Sequence, residues 1–277
     1  MQISAQQKRD LATDGAIVLR GLFSQERLRI LREAFEVGIA NPSALHGYSF
    51  QGTEQETFND YGNYENRATH LQTIEALGLG ELVASLWDSE RVWFYGEEIF
   101  IKKGGRGGRS PWHQDTSYFP FEGPQILNIW TSFEALSPKN SLEFVRGSHC
   151  GVQYNGSSYD NADDHTSPLW HETEWPRLPD IEAERTANPS RWDIFSFDLE
   201  PGDALVFHSG ILHGGAPVTP DCPNRHTLVY RFFGEQTFYR PLPLEGGSSY
   251  GYDISDLNDA TLAPGERYQS RFADRVV

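Results

Sequence analysis

From Val92 onward the chain breaks into short apolar runs bounded by Gly, Pro and Asp, and few folds accept that pattern. Val92 to Lys103, Ile126 to Leu136, Leu142 to Val145, Ile194 to Leu199, Ala204 to Phe207 and Thr227 to Phe233 each read as a strand. The N-terminal third differs. Ser4 and Gln7 have capping-box spacing and open a short helix to about Thr13; Gly15 ends it, and Ala16 to Arg20 reads as a strand. Ser24 caps a second helix with Leu28, Leu31 and Phe35 at helical spacing, and Asn41-Pro42 stops it. His46 to Arg67 has no clear period and reads as a loop lying over something. Residues 70–87 are helical again, divided near Gly78 and Gly80. Short strands preceded by helices predict a mainly β chain. The expected fold is a double-stranded β-helix, jelly-roll and cupin-like, with flanking helices from residues 1–90 against the larger sheet. Residues 1–277 read as one domain. Residues 153–192 interrupt the strand pattern; they are polar and acidic yet hold Trp170, Trp175 and Trp192, which reads as a lid insertion.

Within that frame, Pro111-Trp112-His113-Gln114-Asp115 carries chemistry. On extended backbone side chains alternate faces, so His113 and Asp115 point the same way. An imidazole and a carboxylate side by side make two thirds of a 2-His-1-carboxylate set, which suits non-haem Fe(II) and leaves positions open. Alone, such a pair is as readily a hydrogen-bonded structural contact. The third ligand is sought in the stretch from Gly202 to Gly215, which offers His208 and His213. Being five apart on a strand, these two face opposite sides. His213 is favoured because Gly214-Gly215 beside it lets backbone approach closely. His208 then reads as a satisfied structural histidine.

An oxygenase built on such a set needs a two-electron reductant. If that co-substrate is a dicarboxylate, its far carboxylate needs an always-charged, bidentate partner. Arg225 fits, with Arg231 as the alternative; a jelly-roll crossing favours Arg225. Two further stretches frame the site: Asn140 to His149, ending Arg146-Gly147-Ser148-His149, and Pro201-Gly202-Asp203. With them the chain resembles the phytanoyl-CoA dioxygenase family of Fe(II)/2-oxoglutarate oxygenases. The resemblance rests on residues 112–115, the 147–149 turn, Gly202-Asp203, His213 and Arg225, and runs from about residue 92 to 235. Asn140-Ser141 and Arg146 depart from the family's usual Asn-Gly and Pro, both in turns away from the expected metal.

The resemblance implies Fe(II), 2-oxoglutarate and O2, with His113, Asp115 and His213 as the metal-holding, catalytic set. It implies Arg225 and Trp130 at the 2-oxoglutarate site. The expected reaction hydroxylates, desaturates or demethylates a small organic metabolite through a ferryl oxidant, releasing succinate and CO2. Because Asp115 is present, the halogenase variation, in which Gly or Ala replaces the carboxylate, is disfavoured. Lys102, Gln114, Tyr118, Phe119 and Trp170 are the candidate substrate contacts. Lys102 belongs to a basic, glycine-interleaved cluster with Lys103, Arg106 and Arg109. Two other readings of the triad stand beside this one: a cupin-like Zn(II) hydrolase or isomerase, and a non-catalytic metal or ligand sensor.

A net charge of -16 argues against nucleic-acid and anionic-membrane partners and disfavours polyanionic substrates. Two cysteines without a CxxC pattern fit a reducing compartment. No signal-like start or membrane-spanning run appears, so a cytoplasmic location is expected.

Overall fold

The N-terminal elements form where their caps dictate. In the computed structural model, which describes residues 3–44, 46–49, 52–53, 56–158, 164–243, 248–249 and 252–277, helix α1 spans Ala5–Asp14. The Ser4 hydroxyl accepts the Gln7 N–H and the Gln7 side chain accepts the Ser4 N–H, so two of the helix's orphan donors are satisfied. Left-handed Gly15 ends the helix and strand β1 (Ala16–Leu19) follows. Helix α2 (Gln25–Ala40), capped by Ser24, buries Leu28, Leu31, Ala34 and Phe35. Helices α3 (Arg67–Ala76) and α4 (Leu79–Trp87) are separated at Gly78, whose φ of 57° is left-handed.

The expected loop between α2 and α3 is instead partly strand: β2 (Gly47–Ser49) and β3 (Thr57–Tyr61) pair as a hairpin. Residues 45, 50–51 and 54–55 of that stretch lie outside the described residues. Its irregular composition hid a strand because its inward positions face a polar cavity instead of an apolar core.

The next nine strands are β4 (Val92–Lys102), β5 (Ser110–His113), β6 (Phe121–Glu122), β7 (Ile126–Ser132), β8 (Leu142–Val145), β9 (Ile194–Ser196), β10 (Ala204–His208), β11 (His213–Gly215) and β12 (Arg225–Gly234). Three differ from expectation by more than one residue at an end: β7 stops at Ser132, β9 at Ser196, and β12 begins two residues early. The larger sheet has the order β1-β10-β7-β12-β4-β3-β2, and the smaller is β5-β11-β8-β9. Every pairing in both is antiparallel.

Alternation along the strands builds two layers. Leu127 and Ile129 of β7, Ala204 and Val206 of β10, and Leu228 and Tyr230 of β12 join the apolar faces of α2, α3 and α4 in one core. The intervening Trp130, Leu205, Phe207 and Val229 meet Leu142 and Phe144 of β8 in a second core between the sheets. This is the jelly-roll arrangement, with helices outside the larger sheet. The C-terminal end, for which the sequence offered no strand, adds Asp274–Arg275 to the edge of β4. Asp274 also pairs with the Arg67 guanidinium, tying the chain's end to α3.

The 153–192 segment packs on the barrel. Its helix α5 (Ile181–Ala187) places Ile181 against Trp112, Val145 and Leu212, on the back of the smaller sheet. Residues 159–163 lie outside the described residues.

Candidate active site

His113 ends β5, His213 begins β11, and the two are direct partners across that antiparallel pair. Their ring centroids are 4.2 Å apart. Gly214 makes this possible: a Cβ there would lie 2.9 Å from the Ser110 carbonyl oxygen and 3.0 Å from that of Pro111. Strand β5 ends at His113 and Asp115 opens a short 3-10 turn, so the expected continuous strand is broken there. Gln114 between them is still extended (φ -118°, ψ 125°), which keeps His113 and Asp115 on one side as the alternation predicts. Asp115 Oδ1 is 3.4 Å from His113 Nε2 and 3.7 Å from His213 Nε2. One donor atom from each of the three residues lies within 4.8 Å of the others.

Each imidazole is oriented from behind. His113 Nδ1–H donates to the Pro111 carbonyl and His213 Nδ1–H to the Ile211 carbonyl, both at 2.9 Å. That fixes the tautomer and turns both Nε2 lone pairs toward Asp115. The carboxylate is held too: Oδ2 accepts the Asn128 amide at 2.7 Å, and Arg231 Nε stands 3.6 Å from it. Burial resists its ionisation, but Arg231 and the two histidines outweigh burial and hold its pKa below the usual carboxylate range. Burial, aided by the His113 charge, depresses His213 to about 4. For His113, burial opposes protonation, but the bond to Asp115 and its charge prevail, and the pKa is raised. Neutral imidazoles and an ionised carboxylate are the forms that bind a metal ion.

His208, the rejected alternative, faces elsewhere: Nε2 donates to the Gly123 carbonyl and Nδ1 accepts the Gly210 N–H, each at 2.9 Å.

The triad opens into a cavity of about 440 Å³ between the two sheets. Arg225 and Lys102, register partners on β12 and β4, both line it and are 3% and 2% exposed. Among the described residues neither forms a salt bridge. Arg225 donates to the Ala216 carbonyl, faces the Trp130 ring at 5.8 Å, and leaves Nε without a hydrogen bond. Lys102 Nζ reaches the carbonyls of Gly108 (2.7 Å) and Ala216 (3.2 Å). Burial lowers Arg225 to about 10; burial with the charges of Arg225 and Arg109 lowers Lys102 well below its ordinary value. Two buried cations without a protein counter-ion call for an anion. Arg231, the other candidate, is occupied by the Glu98 and Asp115 carboxylates.

Of the candidate substrate contacts, Lys102 and Tyr118 line the cavity, and Gln114, Phe119 and Trp170 do not. Gln114 turns its amide away, to the Gly210 carbonyl and the Tyr154 N–H. Phe119 is buried between Tyr95 and Phe121, with centroids 5.2 Å from each. Trp170 is 2% exposed and packs against Leu242, Ile254 and Leu257. Proximity to the His-x-Asp stretch drew these three in, but alternation and the 3-10 turn direct them elsewhere. Lys103 and Arg106 are exposed, and Arg109 pairs with Glu143 and Glu182. The sequence reading missed Asn128 and Glu98; both are polar residues inside otherwise apolar runs, and that interruption was the available signal.

Residues 11–227 match the family described as phytanoyl-CoA dioxygenase (PhyH). The chain belongs to that family.

Among curated proteins, this member of the phytanoyl-CoA dioxygenase family is similar to a "Probable alpha-ketoglutarate-dependent hypophosphite dioxygenase" of Stutzerimonas stutzeri. Identity is 22% over 238 residues, covering 82% of this chain and 76% of that protein. It is also 32% identical over 108 residues to a "Probable phytanoyl-CoA dioxygenase" of Caenorhabditis elegans, which covers 38% of this chain and 30% of that one. Among solved structures, the epimerase SnoN in complex with Fe3+, alpha ketoglutarate and nogalamycin RO superposes with a TM-score of 0.70. There identity is 14%, covering 98% of both chains. EctD of S. alaskensis, with 2-oxoglutarate and 5-hydroxyectoine, gives 0.65 at 19% identity, covering 97% of this chain and 86% of that one. The fold is that of the 2-oxoglutarate oxygenases. Family membership makes the chain an iron- and 2-oxoglutarate-dependent oxygenase that uses O2 and acts on a small molecule. The zinc hydrolase and sensor readings give way to it. Among the described residues no helix is long and apolar enough to cross a membrane.

Proposed function

We propose that His113, Asp115 and His213 hold iron(II), and that Arg225 and Lys102 together take the far carboxylate of 2-oxoglutarate beside Trp130. One observation carries this assignment: a 2-His-1-carboxylate set and two buried cations lacking counter-ions share one cavity. A hydrolase would need the first feature and has no use for the second. The residues fit the group: borderline nitrogen donors with one carboxylate suit iron(II), and a planar guanidinium with an open Nε suits a carboxylate. Lys102, first a substrate candidate, is thereby assigned to the co-substrate, because it sits beside Arg225 at the cavity's base.

Bound iron with 2-oxoglutarate and O2 supplies the oxidant for a substrate C–H bond, with succinate and CO2 as co-products. The chain's own residues bind, orient and exclude. The backbone carbonyls of Pro111 and Ile211 fix both imidazoles, and Asn128 and Arg231 leave Asp115 Oδ1 free by engaging Oδ2. Phe207, Val229, Leu142 and Trp130 keep water from the cavity base. The substrate lies toward the opening, against Tyr61, Tyr118 and Leu169. Because the cavity's other charged pair, Glu98 with Arg231, is buried beside Asp115 and internally neutral, an uncharged small molecule fits better than a polyanion. Two free cysteines, Cys150 and Cys222, agree with a cytoplasmic location, and residues 1–90, whose helices pack on the barrel and whose strands join its larger sheet, act with it as one domain. Succinate release from 2-oxoglutarate, dependent on iron and lost in Arg225→Ala, tests the reading; 2-oxoglutarate-independent turnover of a substrate contradicts it.

A further inference from the structure

The turn that carries Asp115 has little to hold it from within. A 3-10 turn of four residues, 115–118, sets a carboxylate poorly by its own backbone. Its neighbours are instead fastened, one after another, to residues 152–158 and 164–170. Gln114 Nε2 donates to the Val152 carbonyl (3.1 Å), and its Oε1 accepts the Tyr154 N–H (2.8 Å). Thr116 Oγ1 donates to Gln153 Oε1 at 2.6 Å. Ser117 Oγ donates to the Tyr154 carbonyl and accepts from Gln153 Nε2, both at 2.9 Å. Tyr118 OH donates to the Ser157 carbonyl (3.0 Å) and accepts the Ser157 N–H (3.1 Å). Trp170 Nε1 donates to the Ser117 carbonyl at 3.1 Å, while Asn155 clasps both backbone groups of Trp170 and closes the arm on itself. Contact is tight: a Cβ on Gly156 would lie 3.1 Å from the Tyr118 ring.

We propose that residues 153–158 and 164–170 act as a positioning arm for the metal carboxylate, and that arm order and metal binding are coupled through Gln114, Ser117 and Tyr118. The side chain of every turn residue except Asp115 is committed to the arm, so Asp115 alone is left to face the histidines. The same arm contributes Ser157 and Leu169 to the cavity wall. Whatever occupies the cavity therefore touches the element that fixes the metal's carboxylate. Coupling of this kind is reciprocal: a tighter arm binds metal better, and bound metal orders the arm by the same free energy. The segment that composition marks as a lid is thus, at residues 153–158 and 164–170, a strut.

The inference rests on Asp115 being a metal ligand, and the test separates the two. Full-length protein is titrated anaerobically with Co(II), read by visible absorption, as wild type, Ser117→Ala, Tyr118→Phe and Trp192→Phe. Trp192 is the control: it lies in the same segment, but its Nε1 donates to Glu184, away from the turn. The two turn variants should weaken Co(II) by about tenfold or more, the size usual for lost outer-shell partners, with Trp192→Phe unchanged. Amide exchange of 153–158 and 164–170 in wild type should slow on adding Co(II), with α5 unaffected; this needs no variant, so a misfolded Ser117→Ala leaves the test intact. Wild-type affinity in both turn variants, or exchange in the arm indifferent to Co(II), overturns the coupling. Wild type that binds no Co(II) overturns the ligand assignment beneath it.

Discussion

Arg231 Nε stands 3.6 Å from Asp115 Oδ2, and the far edge of the same guanidinium is held by the Glu98 carboxylate. The three charged groups are 5–6% exposed, and Arg231 is the buried cation that the Asp115 and Glu98 carboxylates share. Arg231 offsets the burial of Asp115, and Glu98 offsets that of Arg231. Replacing Arg231 with Met should cost about 3–5 kcal/mol, because the buried carboxylates of Glu98 and Asp115 lose the cation they share. It should also weaken metal binding by about 10- to 100-fold. Adding Glu98→Gln should restore most of the stability in urea denaturation and none of the Co(II) affinity. A double variant binding Co(II) like wild type would show that Arg231 serves stability alone.

Arg225 and Lys102 should separate in another way. Arg225→Ala is expected to raise the 2-oxoglutarate dissociation constant by roughly 30-fold or more, the cost of truncating one partner of a buried charge pair. Lys102→Met should weaken 2-oxoglutarate too, while raising the melting temperature of the protein without co-substrate, since it removes a buried ammonium that no carboxylate among the described residues pairs with. Thermal unfolding with and without 2-oxoglutarate reads both effects. An unstabilised Lys102→Met with full 2-oxoglutarate affinity would remove Lys102 from the site.

Beneath the larger sheet, Glu97 is 1% exposed and accepts the Asn63 N–H at 2.6 Å, with His70 Nε2 3.9 Å away. Burial raises its pKa from 4.5 to about 7. Between those values the folded chain binds the proton and the unfolded chain does not, so this group's contribution to stability falls as pH rises from 4.5 to 7. His70, lowered by burial from 6.5 to about 4, acts oppositely, its contribution falling as pH drops from 6.5 to 4. The two partly mask each other. Glu97→Gln should unmask the effect: its stability relative to wild type rises by up to about 3 kcal/mol between pH 4.5 and 7 and is level above. Denaturant midpoints across that range check it, and a pH-independent difference would contradict it.

Gly214 is placed where only a hydrogen fits between β11 and β5. Gly214→Ala should cost about 1–3 kcal/mol by pushing the strands apart. Because His113 and His213 face each other across that pair, Co(II) affinity should fall with it. A variant that loses stability but keeps wild-type Co(II) affinity would show that the paired histidines do not depend on this close approach.

Much of the barrel was legible because its strands alternate between two apolar layers: the alternation at Trp130, Leu205, Phe207 and Val229 is the core itself. The capping box at Ser4 and the break at Gly78 were legible for local reasons, since caps and left-handed residues act within a few positions. The triad could be read because His113 and Asp115 are two apart and Gly214-Gly215 marks a close approach. What escaped was set by distant partners. The β2–β3 hairpin lines a polar cavity and so lacks an apolar period. Gln114 and Trp170 look like pocket residues until the arm claims them, and Glu98 gains meaning only when Arg231, far along the chain, lies on the next strand.

The most direct test of the account is an anaerobic titration of the Fe(II)-loaded protein with 2-oxoglutarate, following the visible absorption of the chelate. The account predicts a band in wild type that is lost in His213→Ala and needs much more 2-oxoglutarate in Arg225→Ala. A folded, iron-loaded wild type that gives no band, or a His213→Ala variant that gives the full one, would contradict it.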